Sequence, residues 1–326
     1  MKHMLAFAGL AWASQALLPP PEGGALLGVR LYVDPQHPAR RLAEEWRARR
    51  PREAALLAKI AEQPQAIWLG DWVPDVAREV ERIVRDAARQ GAWPVLVAYN
   101  IPGRDCSQYS AGGADGADAY RQWIRAFARG LRAGPAIVVL EPDALAGLDC
   151  LAPPAREERI RLLRVAVEVL SAAGARVYVD AGHPRWHTAE EMASRLERVG
   201  VRRAAGFALN VSNFVSNREN VAYGERIAMR LGGNVHFVID TSRNGLATAD
   251  GQWCNPRGQS LGTNPTTRTG HPWVDAYLWI KRPGESDGSC NGGPRAGVWW
   301  TEYALELARN QTRDIALGVV PPIALR

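Results

Sequence analysis

Residues 136–145 read Ala136-Ile137-Val138-Val139-Leu140-Glu141-Pro142-Asp143-Ala144-Leu145. The first half is an unbroken apolar, β-branched run, the composition of a strand buried on both faces. Pro142 cannot donate to a strand ladder, so the strand should stop there. That leaves Asp143 at the strand's C-terminal mouth, where parallel α/β folds put their chemistry. A lone aspartate here would more often be an acidic turn residue capping the next segment. Three further strand-like runs end in the same way, however, and the repetition asks for a common cause.

Working outward, strand-like runs occur at 29–34, 66–70, 94–101, 136–140, 176–180, 206–211, 235–240 and 276–281. Amphipathic helical stretches separate them at 41–63, with an interruption expected at Pro51, and at 73–90, 118–132, 155–173, 188–199, 218–231 and 299–310. Thr188 and Glu191 have capping-box spacing, and Gly200 is placed to end that helix. Strict alternation of strand and helix predicts an α/β fold, a parallel sheet with helices outside it. Seven or eight such units favour a closed barrel over an open sheet.

A chain of 326 residues that is 47% hydrophobic can bury a large core, and single α/β barrels of this size are common. The formal charge of +6 comes almost entirely from arginine, since Lys2, Lys59 and Lys281 are the only lysines. The arginines are spread over amphipathic helices with no basic block interleaved with aromatics, so no nucleic-acid partner is expected. Twelve tryptophans are many for the length, and several sit near the acidic strand ends. Their faces suit stacking on sugar rings, on bases or on each other.

Residues 1–16 combine Lys2, an apolar stretch and Ala13-Ser14-Gln15-Ala16, like a short or truncated secretory signal too short to span a bilayer. A cloning remnant ahead of the mature chain is the alternative. Residues 19–24 read as a Pro/Gly linker, so the expected division is 1–24, signal-like segment and linker, and 25–326, one domain. Cys106, Cys150, Cys254 and Cys290 allow three pairings, and none forms the C-x-x-C of a zinc site. Cys106 and Cys150 each follow an acidic strand end. If those strands are neighbours, a Cys106–Cys150 bridge is reasonable, and Cys254–Cys290 would clamp the last loops. Two disulfides agree with export, so the expected location is extracellular, with no membrane partner.

No dinucleotide fingerprint or phosphate-cradling loop follows any strand. Gly258-Gln259-Ser260-Leu261-Gly262 matches a serine-hydrolase elbow but lies in a Pro/Gly/Asn/Thr-rich loop. His271 is the last histidine, and no Asp or Glu separates it from Ser260, which excludes that chemistry. In a barrel, four strand ends converge on one mouth and gather Asp105, Asp143, Asp180 and Asp287, with Arg104 and Lys281 as compensating charges. Crowded carboxylates cannot all ionise freely; one is pushed up and can donate a proton while its neighbours stay charged. Glycosidic cleavage needs that split. Metal binding is the competing use, but the aspartates are scattered and form no loop of alternating ligands, so neither metal nor cofactor is expected. His183 reads as a packed residue orienting Asp180.

Seven segments in order resemble glycoside hydrolase family 6, the cellulases acting on β-1,4-glucan. They are Trp68-Leu69-Gly70, Tyr99 to Cys106, Leu140-Glu141-Pro142-Asp143, Asp180-Ala181-Gly182-His183 with Trp186, Ile239 to Gly245, Trp253-Cys254, and Lys281 through Glu285 to Asp287-Gly288. The resemblance implies a distorted (β/α) barrel of about seven parallel strands, with an open active-site cleft at the C-terminal strand ends. It implies inversion, in which two carboxyl groups stand ~6.5–9.5 Å apart with water between them. Asp143 matches the general acid, Asp105 the group that keeps that acid's pKa high and relays a proton, and Asp287 the proposed base. Asp180, Lys281 and Glu285 fall among the groups expected to bind the glucan. Tyr99 matches the tyrosine pressing on the distorted sugar, and Trp68, Trp186 and Trp253 match tryptophans that stack on glucosyl units.

One position departs. Where the family often carries a serine that helps hold the nucleophilic water, this chain has Ala111 with Ser110 beside it, so either Ser110 takes the role or another group does. The glycine-rich 111–116 suggests a mobile loop that closes over substrate. The short stretch from Asp287 to Trp299 implies an open cleft, and so an endo-acting enzyme; a monomer acting on soluble or amorphous glucan is expected, and an exo-acting cellobiohydrolase and a non-catalytic glucan-binding barrel are the alternatives.

Overall fold

The run that opens at Ala136 is the third strand of a seven-stranded parallel sheet in the computed structural model, which describes residues 24–248 and 251–318. The expected signal-like segment and nearly all of the linker lie outside those residues. In chain order the elements are α1 (Pro38–Trp46), α2 (Pro51–Ala61), β1 (Ile67–Leu69), α3 (Val76–Arg89), β2 (Val95–Ala98), α4 (Gly116–Leu131), β3 (Ile137–Leu140), α5 (Pro153–Ala172) and β4 (Arg176–Asp180). They continue with α6 (Ala189–Arg198), β5 (Gly206–Leu209), α7 (Asn217–Arg230), β6 (His236–Asp240), β7 (Val274–Leu278), α8 (Thr301–Asn310) and α9 (Arg313–Leu317).

Each strand pairs in parallel with the next in sequence. The sheet curls until its edges meet near the site: Ala66 N–H donates to Trp279 O at 2.9 Å, and Trp68 Nε1–H to Ile280 O at 2.8 Å. This is the expected distorted β/α barrel. Alternate residues of β3 face different cores. Val138 and Leu140 pack outward with Phe127 and Leu163 of the helices, while Ile137 and Val139 fill the barrel with Tyr178 and Val238. Both faces are buried, which is why the run carries no polar alternation.

Local signals hold where they were strongest. The expected interruption at Pro51 separates α1 from α2, with the proline in the first turn of the second helix. The Thr188 side chain accepts the Glu191 N–H at 3.2 Å and caps α6. The expected strand at 29–34 does not form; only Leu31 bridges, to Trp93. The reason is occupancy. β1 already takes that edge of β2 from Leu96 onward, so only Trp93, ahead of β2, is open to Leu31. The runs 94–101 and 206–211 also stop early, at Ala98 and Leu209, for a reason that lies in the site.

Candidate active site

Three strands end in buried carboxylates that capture the backbone amides of neighbouring strand ends. Glu141, after β3, accepts the N–H groups of Asn100 and Ile101 at 2.9 and 3.0 Å. Those amides cannot join a ladder, and β2 ends. Asp180, closing β4, accepts the N–H of Asp143 at 2.9 Å and of Gly182 at 3.3 Å. Asp240, closing β6, accepts from Ser212 N at 3.0 Å beyond β5, from Ser242 N at 2.9 Å, and from Lys281 N at 2.9 Å beyond β7. Buried carboxylates with several N–H donors make rigid staples, and these hold the mouth of the barrel in register.

Asp143 sits at φ 66° between two of these staples. Burial, then the carboxylates of Asp180 and Asp105, push its carboxyl well above the usual range. Asp180 is also pushed up by burial, against the pull of its N–H donors, and its Oδ1 has no hydrogen-bond partner among the described residues. Two buried carboxyls so placed cannot both be charged, and the pair retains a proton. Asp105 lies at φ 58°, half-buried; its Oδ2 accepts the Ser110 N–H at 2.6 Å, and burial raises its carboxyl.

Buried Arg104 fixes this wall. Its Nη1 donates to Tyr99 O and to Asp71 Oδ1, both at 2.8 Å, and its Nε to Ser110 O at 2.8 Å. Its guanidinium stands 4.7 Å over the Tyr99 ring, which meets Trp68 edge-on at 5.0 Å. The Cys106–Cys150 disulfide ties the loop after Asp105 to the one after Asp143.

Across the cleft, Asp287 is buried and surrounded by donors. Arg243 Nη1 bonds its Oδ2 at 2.7 Å, Lys281 Nζ stands 3.5 Å from Oδ1, and the Asn255 N–H donates to Oδ2 at 3.0 Å. Burial opposes its charge, yet Arg243 and Lys281 hold the carboxyl below the usual range. Asn255 returns a bond, accepting the Asp287 N–H at 2.9 Å, and donates from Nδ2 to Gly288 O at 2.8 Å. The adjacent Cys254–Cys290 disulfide closes this wall. Arg243 itself is fully buried, donating to Ser212 O at 2.6 Å and lying 4.4 Å over the Phe214 ring.

Between the walls runs a cleft of about 740 Å³. Asp105, Asp143, Asp287, Tyr99, Trp68, Trp186, Trp253, Lys281, Ser110 and Glu285, all expected from sequence, line it. Solvent reaches Trp186 (40% exposed) and Trp253 (37% exposed) from its open side. Asp180 differs from expectation: fully buried, it stands behind Asp143 and holds that residue's amide rather than facing a ligand. His183 differs too. Its Nδ1 accepts the Arg185 N–H at 3.3 Å and its ring packs at 5.8 Å on Trp186, so it supports the wall and leaves Asp180 to other donors.

Ser110 faces the cleft, but its backbone N–H and carbonyl are spent on Asp105 and Arg104. Ala111 lines the cleft beside it. The glycine-rich 111–116 is not the loose part of this loop. A Cβ on Gly113 would lie 1.9 Å from Ile101 O, so the segment is seated against β2's end.

Arg243, Asn255, Trp72 and Tyr109 had no assigned role from sequence. Arg243 lay inside the quoted 239–245 segment and Asn255 beside Cys254, and their positions there were the available signal. Trp72 and Tyr109 line the cleft as exposed aromatics. Ser260 of the excluded hydrolase-like motif is buried, its hydroxyl donating to Leu261 O at 2.7 Å. Among the described residues no group of three or more His, Cys, Asp or Glu is placed to hold a metal ion, and no helix is long and apolar enough to cross a membrane.

Endoglucanase A of Cellulomonas fimi is 47% identical over 282 residues, which are 86% of this chain and 61% of that protein, so the chain spans under two thirds of that relative. Endoglucanase 1 of Streptomyces halstedii is 43% identical over 85% of this chain and 87% of its own length. The endoglucanase Cel6 from Mycobacterium tuberculosis, solved with methyl-cellobiosyl-4-deoxy-4-thio-β-D-cellobioside, superposes with a TM-score of 0.83 at 48% identity, covering 87% of this chain and 98% of that one. Residues 26–311 match the model of glycosyl hydrolases family 6, and the chain belongs to that family.

Proposed function

We propose that the chain is a secreted endo-β-1,4-glucanase that hydrolyses internal bonds of cellulose and β-glucan with inversion at the anomeric carbon. One observation carries the reading: of two aspartates on opposite walls of an aromatic cleft, Asp143 has the Asp180 carboxyl behind it while Asp287 has Arg243 and Lys281 against it. Asp143, its carboxyl pushed up by burial and by the carboxylates of Asp180 and Asp105, is the proton donor and acts as the general acid on the leaving oxygen. Asp180 from behind and Asp105 from the side keep that proton in place, and Asp105 relays one from the attacking water. Asp287, kept charged by Arg243 and Lys281, is the base side of an inverting pair.

Tyr99 presses on the distorted sugar, and Trp68, Trp186 and Trp253 stack on glucosyl units. Lys281, Glu285 and Ser110 offer polar contacts to sugar hydroxyls. The endoglucanase names of the relatives and the thio-cello-oligosaccharide in the Mycobacterium tuberculosis structure support the substrate class. The two disulfides support export. A cellobiohydrolase is the second reading, favoured by one observation, the contact of the Tyr109 ring with Gly288 and Trp253 on the opposite wall.

The test is proton NMR of fresh products from cellohexaose, with chain-length analysis alongside. Initial α-anomer with mixed internal cleavage is the expected result. Initial β-anomer would mean a covalent intermediate and overturn the mechanism. Cellobiose alone would favour the second reading, and no product would leave a binding protein.

A further inference from the structure

Tyr109 belongs to one wall and rests on the other. It rises from the loop that carries Asp105 and Ser110, yet its ring lies on Gly288, the residue after Asp287. A Cβ on Gly288 would come 2.4 Å from Tyr109 Cγ and 2.6 Å from Cδ1, so only glycine leaves room for the ring. The ring also meets Trp253 edge-on, with centroids 6.1 Å apart and planes at 61°. Half of the residue remains exposed to solvent (50%).

The rest of the loop is anchored on its own side. Cys106 is held by its disulfide, the Ser110 backbone by Asp105 and Arg104, and Gly113 by its seat on Ile101. The tip reaches the opposite wall through Tyr109. A ring against a glycine and edge-to-face with a tryptophan makes a weak contact, and it joins the wall that carries Asp105 to the wall that carries Asp287 across the cleft. A chain end can slide beneath such a bridge. The middle of a long chain must enter from the open side and displace it.

We propose that Tyr109, resting on Gly288, is a specificity-determining strap: seated, it bars sideways entry of the interior of a long glucan, and its release admits it. The inference rests on the glucanase reading above. It assigns the balance between internal attack and end-on cleavage to one aromatic contact rather than to the length of the loops around the cleft.

The experiment compares wild type, Tyr109→Ala, Gly288→Ala and Tyr109→Phe on carboxymethylcellulose and on cellohexaose. The quantity read is viscosity loss per reducing end released. Tyr109→Ala removes the strap, and Gly288→Ala unseats it with a single methyl group. In both, the ratio should rise by about threefold, the scale of one exposed aromatic contact. Tyr109→Phe keeps the ring and should restore the wild-type ratio. An unchanged ratio in both alanine variants, or a phenylalanine variant that behaves like the alanine one, overturns the strap. The two levels of the reading fail separately. Wild type that leaves cellohexaose intact removes the glucanase reading and the strap with it, whereas normal cellohexaose cleavage with an unchanged ratio removes the strap alone.

Discussion

At the mouths of β3 and β4 two aspartates stand together, whereas in the loop after β7 one aspartate stands against two cations. Asp143, Asp180 and Asp287 are all deeply placed, and burial alone pushes each carboxyl upward. On the first wall the neighbouring carboxylates add to that push. On the second, Arg243 at 2.7 Å and Lys281 at 3.5 Å reverse it. Residue type is the same and burial pushes all three upward, so the sign of the adjacent charge decides which wall keeps a proton. The lesson is that a cleft can set a donor and an acceptor facing each other from one amino acid, given two different backings.

The largest effect should come from removing the donor. Asp143→Ala should slow hydrolysis of unactivated cellohexaose by about 10⁴-fold, the upper range for a positioned general acid. A dinitrophenyl cello-oligosaccharide, whose leaving group needs no proton, should lose far less, and cello-oligosaccharide binding measured by calorimetry should survive. Equal losses on both substrates would take the donor role away from Asp143.

Arg243→Ala attacks the opposite wall. Removing one partner of a buried pair costs about 3–5 kcal/mol, because the other charge stays behind without compensation. In the native protein the depressed Asp287 carboxyl contributes stability above the pH at which an unfolded aspartate titrates, and that contribution fades as pH falls through its own lower pKa. The cost of the variant in guanidinium unfolding should therefore be greatest near neutrality and shrink toward acid, where a protonated Asp287 needs no cation. The acid limb of kcat/KM should move to higher pH as well. A cost that ignores pH would assign the effect to lost packing of the guanidinium on Phe214.

The finest adjustment is Asp180→Asn. It removes the like charge behind Asp143 and keeps an oxygen for the Asp143 N–H. Asp143 should then ionise more readily, so the alkaline limb of the pH profile moves to lower pH while the acid limb, set by Asp287, stays. Movement of the acid limb instead would show that the two walls are coupled through the cleft and do not act separately.

Much of this contrast is legible in the sequence. Asp105, Asp143 and Asp287 could be found because each follows an apolar run, and the end of a buried strand is a local pattern. The partners that set their charge were harder to see. Arg243 is 44 residues from Asp287 and Asn255 is 32 away, and neither spacing carries a period. The expected strand at 29–34 failed for the same reason: its composition was right, but β1 had already taken its place beside β2.

By itself the sequence determined the alternation of strand and helix, the break before Pro51, the cap at Thr188 and the acidic residues at the strand ends. These depend on side-chain period, on proline's missing N–H and on a hydroxyl three residues from an amide, all interactions within a few residues of chain. Only the tertiary structure decided that Glu141, Asp180 and Asp240 are staples across neighbouring strands, that Asp180 backs Asp143 instead of facing the cleft, and that Tyr109 rests on Gly288. Those outcomes depend on which groups are left unpaired once the sheet has curled. Buried N–H donors and carboxylates must then find one another across long stretches of chain.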